Sequence, residues 1–277
     1  MWFLLAFLAA FLYAWMWLFA RMSRGVPSAI VTASMMCWAP PLLLWMLPRV
    51  AYPWGEWWWQ LYLIWIAVCM SFALRLLTFS SQRALVTVVN PLAALSTLAT
   101  LLVSVMLFGQ TFSAVHITGI AVITGGLLFL YHGQWRVWHT PWPWLTLLGV
   151  LILGVNVALL KEVLIRFPYP IAFVAVDATI VFLVNAAAAG RQWFHCTIPK
   201  RVWLLLAVFA GVTFLQEVST VMAVDLGPAP HVVAVKRTSI LIAAALSYFL
   251  LKEQEQPLRK LLLASGVVVM GVVMLAA

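Results

Sequence analysis

Two adjacent cations, Lys236 and Arg237, lie near the start of HVVAVKRTSILIAAALSYFLLKE (231–253), a run otherwise fit for lipid. A Lys, Arg or Asp at mid-bilayer costs about 2.5–3.5 kcal/mol on insertion scales, so such residues are expected to face a cavity or a partner. Three more ionisable side chains fall well inside apolar runs: Arg75, Asp177 and Glu217. Side chains of these types can hold a charged solute, exchange a counter-charge with it, or carry a proton. Nucleophilic, phosphate-loop and zinc-protease motifs are missing: there is no GxSxG, P-loop or HExxH. The five histidines and the three cysteines (Cys37, Cys69, Cys196) are scattered without metal-ligand spacing. No enzymatic activity, cofactor or metal is therefore expected.

The elements that must position these charges are membrane helices. The 277 residues are 66% hydrophobic and only 8% charged, with a mean hydropathy of +1.08. Soluble domains carry about 25% charged residues. Hydropathy breaks predict ten spans, roughly 2–20, 28–47, 57–80, 84–108, 113–131, 143–165, 169–189, 202–224, 230–251 and 259–276. The alternation of an outer-membrane barrel is absent, so the expected fold class is all-α and integral to the membrane. The first span lacks a basic leader and runs on to Arg21, and it is read as a retained helix rather than a cleaved signal.

The formal charge of +9 does not point to nucleic acid, because the cations punctuate spans instead of forming a patch. Loops after odd-numbered spans hold ten of them: Arg21, Arg24, Arg83, Arg136, Arg191, Lys200, Arg201, Lys252, Arg259 and Lys260. Loops after even spans hold three, Arg49, Lys161 and Arg166. The positive-inside rule then puts both termini outside the cytoplasm.

Internal similarity suggests two halves. GVPSAIVTA (25–33) resembles PYPIAFVAV (168–176), LFGQ (107–110) matches LLKE (250–253), and GIAVITGGLLFL (119–130) resembles SGVVVMGVVML (265–275). The expected division is a first five-helix repeat at 1–132, a linker at 133–142 and a second repeat at 143–277. An odd number of spans per half inverts one half relative to the other, as in secondary transporters.

On these features the chain resembles the drug/metabolite transporter superfamily, and within it the EamA-type ten-helix transporters. The resemblance covers essentially the whole chain. It implies alternating access around a central cavity lined by spans 1–4 and 6–9, with spans 5 and 10 outside, in a bacterial cytoplasmic (inner) membrane. The essential first-span glutamate of the small four-span relatives has no counterpart, since residues 2–20 contain no acid. Their coupling mechanism is not carried over.

Depth brings the charges together. At 1.5 Å per residue, Lys236 lies about 9 Å beyond Pro230, and Asp177 about 10 Å beyond Pro170. Glu217 is roughly 10 Å short of the end of its span, from the same side. Two acids and two bases thus share one layer. Arg75 is placed near the inner third of span 3, at the height of Asn90, and it is also within snorkelling reach of the interface. With Arg75 the five charges sum to +1, which suits an anionic or zwitterionic solute and opposes a permanent cation. Lys236 and Arg237 point about 100° apart on a helix, so they cannot share one partner equally. Either could pair with Glu217 while the other meets a solute.

Gln216 and Glu217 form a polar face with Thr213 and Thr220, and Ser239 extends the polar turn of Lys236, Arg237 and Thr238. Ser34 and Asn156 are weaker candidates. Most of the sixteen tryptophans lie at loop–span junctions, where Trp anchors the headgroup region. Trp15 and Trp38 are more internal and could stack on a ligand, although helix packing also accounts for them. The glycines of spans 5 and 10 are read as intramolecular packing positions rather than a dimer seam. A monomer is expected, with a dimer left open.

The function expected is secondary transport, in the export direction of many family members, of a small anionic or zwitterionic, amino-acid-like metabolite. Its carboxylate or phosphate would meet Lys236 or Arg237, and Glu217 and Asp177 are the coupling candidates. The alternatives are a flippase for an anionic lipid or lipid-linked sugar, and a non-transporting chaperone or assembly factor whose buried charges only pair with one another.

Overall fold

A chain this apolar must satisfy its backbone N–H and C=O groups within each segment, and helices do so without water. The computed structural model describes residues 1–50, 57–84, 86, 89, 92–93, 95–109, 113–131, 139–166, 169–196, 198–252 and 257–276. Among them it is all-helical, with no strand. The helices are α1 (Trp2–Met22), α2 (Ser28–Met35), α3 (Ala39–Met46), α4 (Trp57–Arg83), α5 (Leu95–Phe108), α6 (Ala114–Tyr131) and α7 (Pro141–Arg166). There follow α8 (Pro170–Ala189), the one-turn α9 (Gln192–His195), α10 (Lys200–Leu226), α11 (Ala229–Lys236), α12 (Ser239–Leu250) and α13 (Leu258–Ala276). Among the described residues, seven segments are long and apolar enough to cross a membrane, and the apolar stretches Leu95–Leu107 and Ala114–Gly126 are shorter. Asn90, Pro91, His132 and residues 133–138 of the expected linker lie outside the described residues.

The helices are apolar all round, so large hydrophobic side chains such as Leu61, Trp65, Met106 and Phe249 stay on the outer surface, as lipid-facing helices require. Inside, α1 runs against α10, α11 and α12; α4 packs on α7 and α8; α5 packs on α7 and α11; and α6 lies along α13. Two apolar clusters result. One holds Trp17, Phe19, Leu74, Leu77 and Phe209. The other holds Ile66, Phe173, Val221, Val235 and Ile240.

Two of the expected continuous spans are broken. Between α2 and α3 the backbone tightens into three-residue turns, with Met36 N donating to Ala33 O at 3.0 Å and Ala39 N to Met36 O at 3.0 Å. Pro40 and Pro41 explain the break, because neither has an N–H to continue the four-residue ladder. Between α11 and α12 there is no proline. Here Thr238 donates from both N (3.0 Å) and Oγ1 (2.9 Å) to Val235 O, and Ile240 N donates to Arg237 O at 3.0 Å. A threonine side chain competing for a helix carbonyl tightens the turn locally.

Close helix contact depends on missing side chains. A Cβ on Gly154 of α7 would lie 2.8 Å from Ala99 Cβ and closer still to the Ser96 carbonyl of α5. A Cβ on Gly271 would lie 2.6 Å from Gly119 O and from Ile123 Cγ1 of α6. Such overlaps force the helices apart. Gly154→Ala and Gly271→Ala are therefore expected to lose about 1–3 kcal/mol. Gly125→Ala, whose added carbon meets nothing within 4 Å, is expected to hold or gain stability. Thermal unfolding in detergent, followed by circular dichroism, checks the order; equal midpoints for all three would refute the packing account.

Candidate functional site

The tight turn between α11 and α12 presents its two cations to different neighbours. Arg237 is only 1% exposed. One terminal nitrogen, Nη2, donates to Ser96 Oγ of α5. Its Nε and Nη1 have no hydrogen-bond partner among the described residues. The Tyr13 ring of α1 lies beneath both cations, with Lys236 Nζ 4.8 Å and Arg237 Cζ 5.7 Å from its centroid. Trp17 meets Tyr13 edge-on at 5.7 Å and fixes the ring.

Lys236, also buried, turns towards α10. Its Nζ donates to Thr220 Oγ1 at 3.1 Å. With the Gln216 amide oriented to satisfy every neighbour, its oxygen accepts from Nζ at 2.8 Å and from Thr220 Oγ1 at 2.7 Å. Its nitrogen then donates to Glu217 Oε1 at 3.1 Å. Gln216 thus links Lys236 to Glu217 in place of a direct ion pair.

Glu217 and Asp177 open into one cavity of about 40 Å³, walled by Met70, Leu160, Phe173 and Val221, with Asn156 as the further polar side chain. Asn156 donates to Ile66 O at 3.1 Å. Asp177 Oδ1 is buried and has no hydrogen-bond partner among the described residues. The two carboxylates are within electrostatic reach of each other, and Glu217 is within reach of Lys236. The order across the site is Arg237, Lys236, Gln216, Glu217, Asp177.

The remaining sequence candidates are dispersed. Arg75 is exposed and lines a separate, wide cavity with Arg24 and Arg83, away from Lys236 and Arg237. Ser239 is buried one turn beyond the cations. Trp15 packs on Phe19 at 5.7 Å. Trp38 packs on Phe214 at 4.9 Å, and its buried Nε1 has no partner among the described residues. Asn90 falls outside them. Tyr13 and Ser96 are the contacts that the sequence reading missed. A tyrosine in mid-span, away from the interfacial belt, is the signal that was there for Tyr13. Ser96 lies 143 residues before Ser239, the spacing that relates LFGQ to LLKE. Among the described residues, no three His, Cys, Asp or Glu side chains gather where they could hold a metal ion.

No family model matches the chain. No curated protein matches it either. Among solved structures, one described only as the crystal structure of a protein is similar over 99% of this chain and 98% of its own, with a TM-score of 0.74 at 15% identity. That likeness concerns the fold alone.

The ring under the cations gives a direct check. A desolvated cation–π contact is worth about 2 kcal/mol. Tyr13→Leu is expected to lose at least that much, whereas Tyr13→Phe, which keeps the ring, should stay within about 1 kcal/mol of wild type. Detergent unfolding midpoints separate the two, and equal losses would remove the ring from the account.

Proposed function

We propose that the chain is a secondary transporter that exports a small anionic or zwitterionic, amino-acid-like metabolite by alternating access. In this reading it belongs with the EamA-type drug/metabolite transporters. It has ten spans in two inverted repeats (1–132 and 143–277), and both termini lie outside the cytoplasm in a bacterial inner membrane.

The observation that carries the reading is the guanidinium of Arg237. Leaving water costs an ion several kcal/mol, which only close partners return. Arg237 is buried with the Ser96 hydroxyl as its acceptor and the Tyr13 hydroxyl within polar reach, and its Nε and Nη1 are unused among the described residues. A carboxylate fits such a fork with two parallel hydrogen bonds. On the far side of Gln216, Glu217 and Asp177 supply the opposite charge that a substrate ammonium would meet. Binding would thus place each end of a zwitterion against its counter-charge. Glu217 serves as the resident counter-charge of Lys236, exchanged when substrate arrives. The helix break at Arg237 and Thr238 supports the reading further, since interrupted helices at mid-membrane are where transporters place their sites.

A flippase would present the same cations to a lipid phosphate. An assembly factor would need the charges only to balance each other, and the Lys236–Gln216–Glu217 chain is the observation that favours that rival.

Thermal unfolding of the detergent-solubilised protein against amino acids, organic phosphates, quaternary cations and lipid-linked sugar phosphates separates these readings. A ligand at a hundred times its Kd stabilises by about 2.7 kcal/mol. Stabilisation by an anionic or zwitterionic solute is expected in wild type and is expected to vanish in Arg237→Ala. The stabilising solute should then show counterflow in proteoliposomes, with at least tenfold loss in Arg237→Ala. Stabilisation by quaternary cations alone, unchanged in Arg237→Ala, would sink the proposal. Full biological complementation by the charge-neutral pair Lys236→Met with Glu217→Gln would hand the case to the assembly factor.

A further inference from the structure

The wide cavity that receives Arg75 is a feature that the transport reading does not use. It measures about 570 Å³ and lies between the loop joining α1 to α2, the last turns of α4, and α9. Arg24, Arg75 and Arg83 line it together with Gln82 and Gln192, and among the described residues no acidic one does. None of these residues contacts Lys236 or Arg237. The charge is uncompensated in the sequence as well. Residues 1–132 hold five arginines against the single acid Glu56, and no acid occurs between residues 57 and 161.

The walls are held firmly in spite of the like charges. Gln82 Nε2 donates to Val26 O at 2.9 Å and to Ser23 O at 3.2 Å, fastening the loop to the end of α4. Arg24 Nε and Arg21 Nη1 in return donate to Gln82 O at 2.5 and 3.1 Å. Gly25, at a φ of 91°, makes the turn that this fastening requires. The Arg83 guanidinium lies 3.7 Å over the Phe79 ring. Arg75, two turns further into α4, is exposed and lines the same cavity. Arginines that merely snorkel reach outward to the headgroup layer. These three, all exposed, line one open cavity.

We propose that this cavity binds a phosphate group through Arg24, Arg75 and Arg83, and that it is a second anion site independent of the Arg237 site. Arg24 spends Nε and Nη2 on the Gln82 and Arg83 carbonyls and adds its charge, while the guanidinium forks of Arg75 and Arg83 match phosphate oxygens in pairs. Three cations with no acid among the described lining residues favour a multiply charged oxyanion over a carboxylate. The space is far larger than phosphate alone, so the group comes attached to a larger body, either a soluble organic phosphate or an anionic lipid.

The test uses the full chain in neutral detergent. Unfolding midpoints are measured with inorganic phosphate and glycerol phosphate against chloride of equal ionic strength, for wild type, Arg75→Gln, Arg83→Gln and Arg237→Ala. In parallel, native mass spectrometry scores retention of phosphatidic acid and phosphatidylglycerol over phosphatidylcholine. Losing one charged contact should weaken binding about tenfold or more. A soluble source predicts stabilisation by phosphate that weakens by that factor in Arg75→Gln and Arg83→Gln and persists in Arg237→Ala. A lipid source predicts selective retention of the anionic lipids with the same dependence on the variants. No preference for phosphate over chloride together with no selective lipid retention overturns the proposal. So does phosphate binding that survives both cavity variants and disappears in Arg237→Ala, which would assign the phosphate to the transport site. Failure here leaves the Arg237 reading standing, because that reading is judged on amino-acid stabilisation lost in Arg237→Ala, and this one on phosphate or anionic-lipid binding lost in Arg75→Gln and Arg83→Gln.

Discussion

An ion moved from water into a protein interior loses hydration worth several kcal/mol, and the surrounding chain has to be arranged to return it. Arg237 imposes that requirement on the middle of this protein. Its guanidinium is 1% exposed and draws a partner from each of two other helices, Ser96 from α5 and the Tyr13 ring from α1. Lys236, one residue earlier, draws on Thr220 and Gln216 of α10. Four segments are thereby fixed around one turn. A regular helix spaces successive side chains about 100° apart. The tighter turn made by Thr238 sets how the two cations divide between α5 and α10.

The two broken spans show how differently one outcome can be encoded. In the second span the cause is covalent, because Pro40 and Pro41 cannot donate and the ladder stops wherever the sequence puts them. Between α11 and α12 the cause is competition for a single carbonyl, Val235 O, by the amide and hydroxyl of Thr238. That competition costs little to reverse, so a continuous helix is energetically near. A break of this kind directly beside Lys236 and Arg237 rests on hydrogen bonds that can be exchanged, which a proline kink does not.

Much of this was legible in the sequence, and the reasons it stopped are specific. Apolar runs declare helices because lipid permits almost nothing else. Rise per residue put Asp177, Glu217, Lys236 and Arg237 at one height, and the structure brings Glu217 within electrostatic reach of both Asp177 and Lys236. Height says nothing about rotation. Which way each helix faces is decided by packing against several others, through contacts such as Gly154 on Ser96 and Gly271 on Gly119. Depth alone puts Arg75 at the height of Asn90 and lets its charge count toward the central cavity, whereas its rotation on α4 turns it to Arg24 and Arg83. Tyr13 went unnoticed for a related reason. A tyrosine costs little in an apolar span, so its presence carries no alarm until two cations are found resting on its ring.

The distribution of charge between the halves bears on how the proposed transport could run. Every described acid near the site, Asp177 and Glu217, comes from the second half, and so do both cations. The first half supplies Ser96 and Tyr13, a hydroxyl and a ring, which are weak partners for a buried guanidinium. If the first-half helices shift against α11 and α12, Lys236 keeps its link to Glu217 through Gln216, and the contacts that change are Ser96 to Arg237 and the Tyr13 ring to both cations. The resulting conformational difference would be small enough for a single bound carboxylate to bias, since a ligand shifts an equilibrium only by its difference in affinity for the two states. A strong ion pair between Arg237 and a first-half acid would have locked one state instead. Under the transport proposal, the scarcity of acids in the first half would favour switching as well as the holding of an anion.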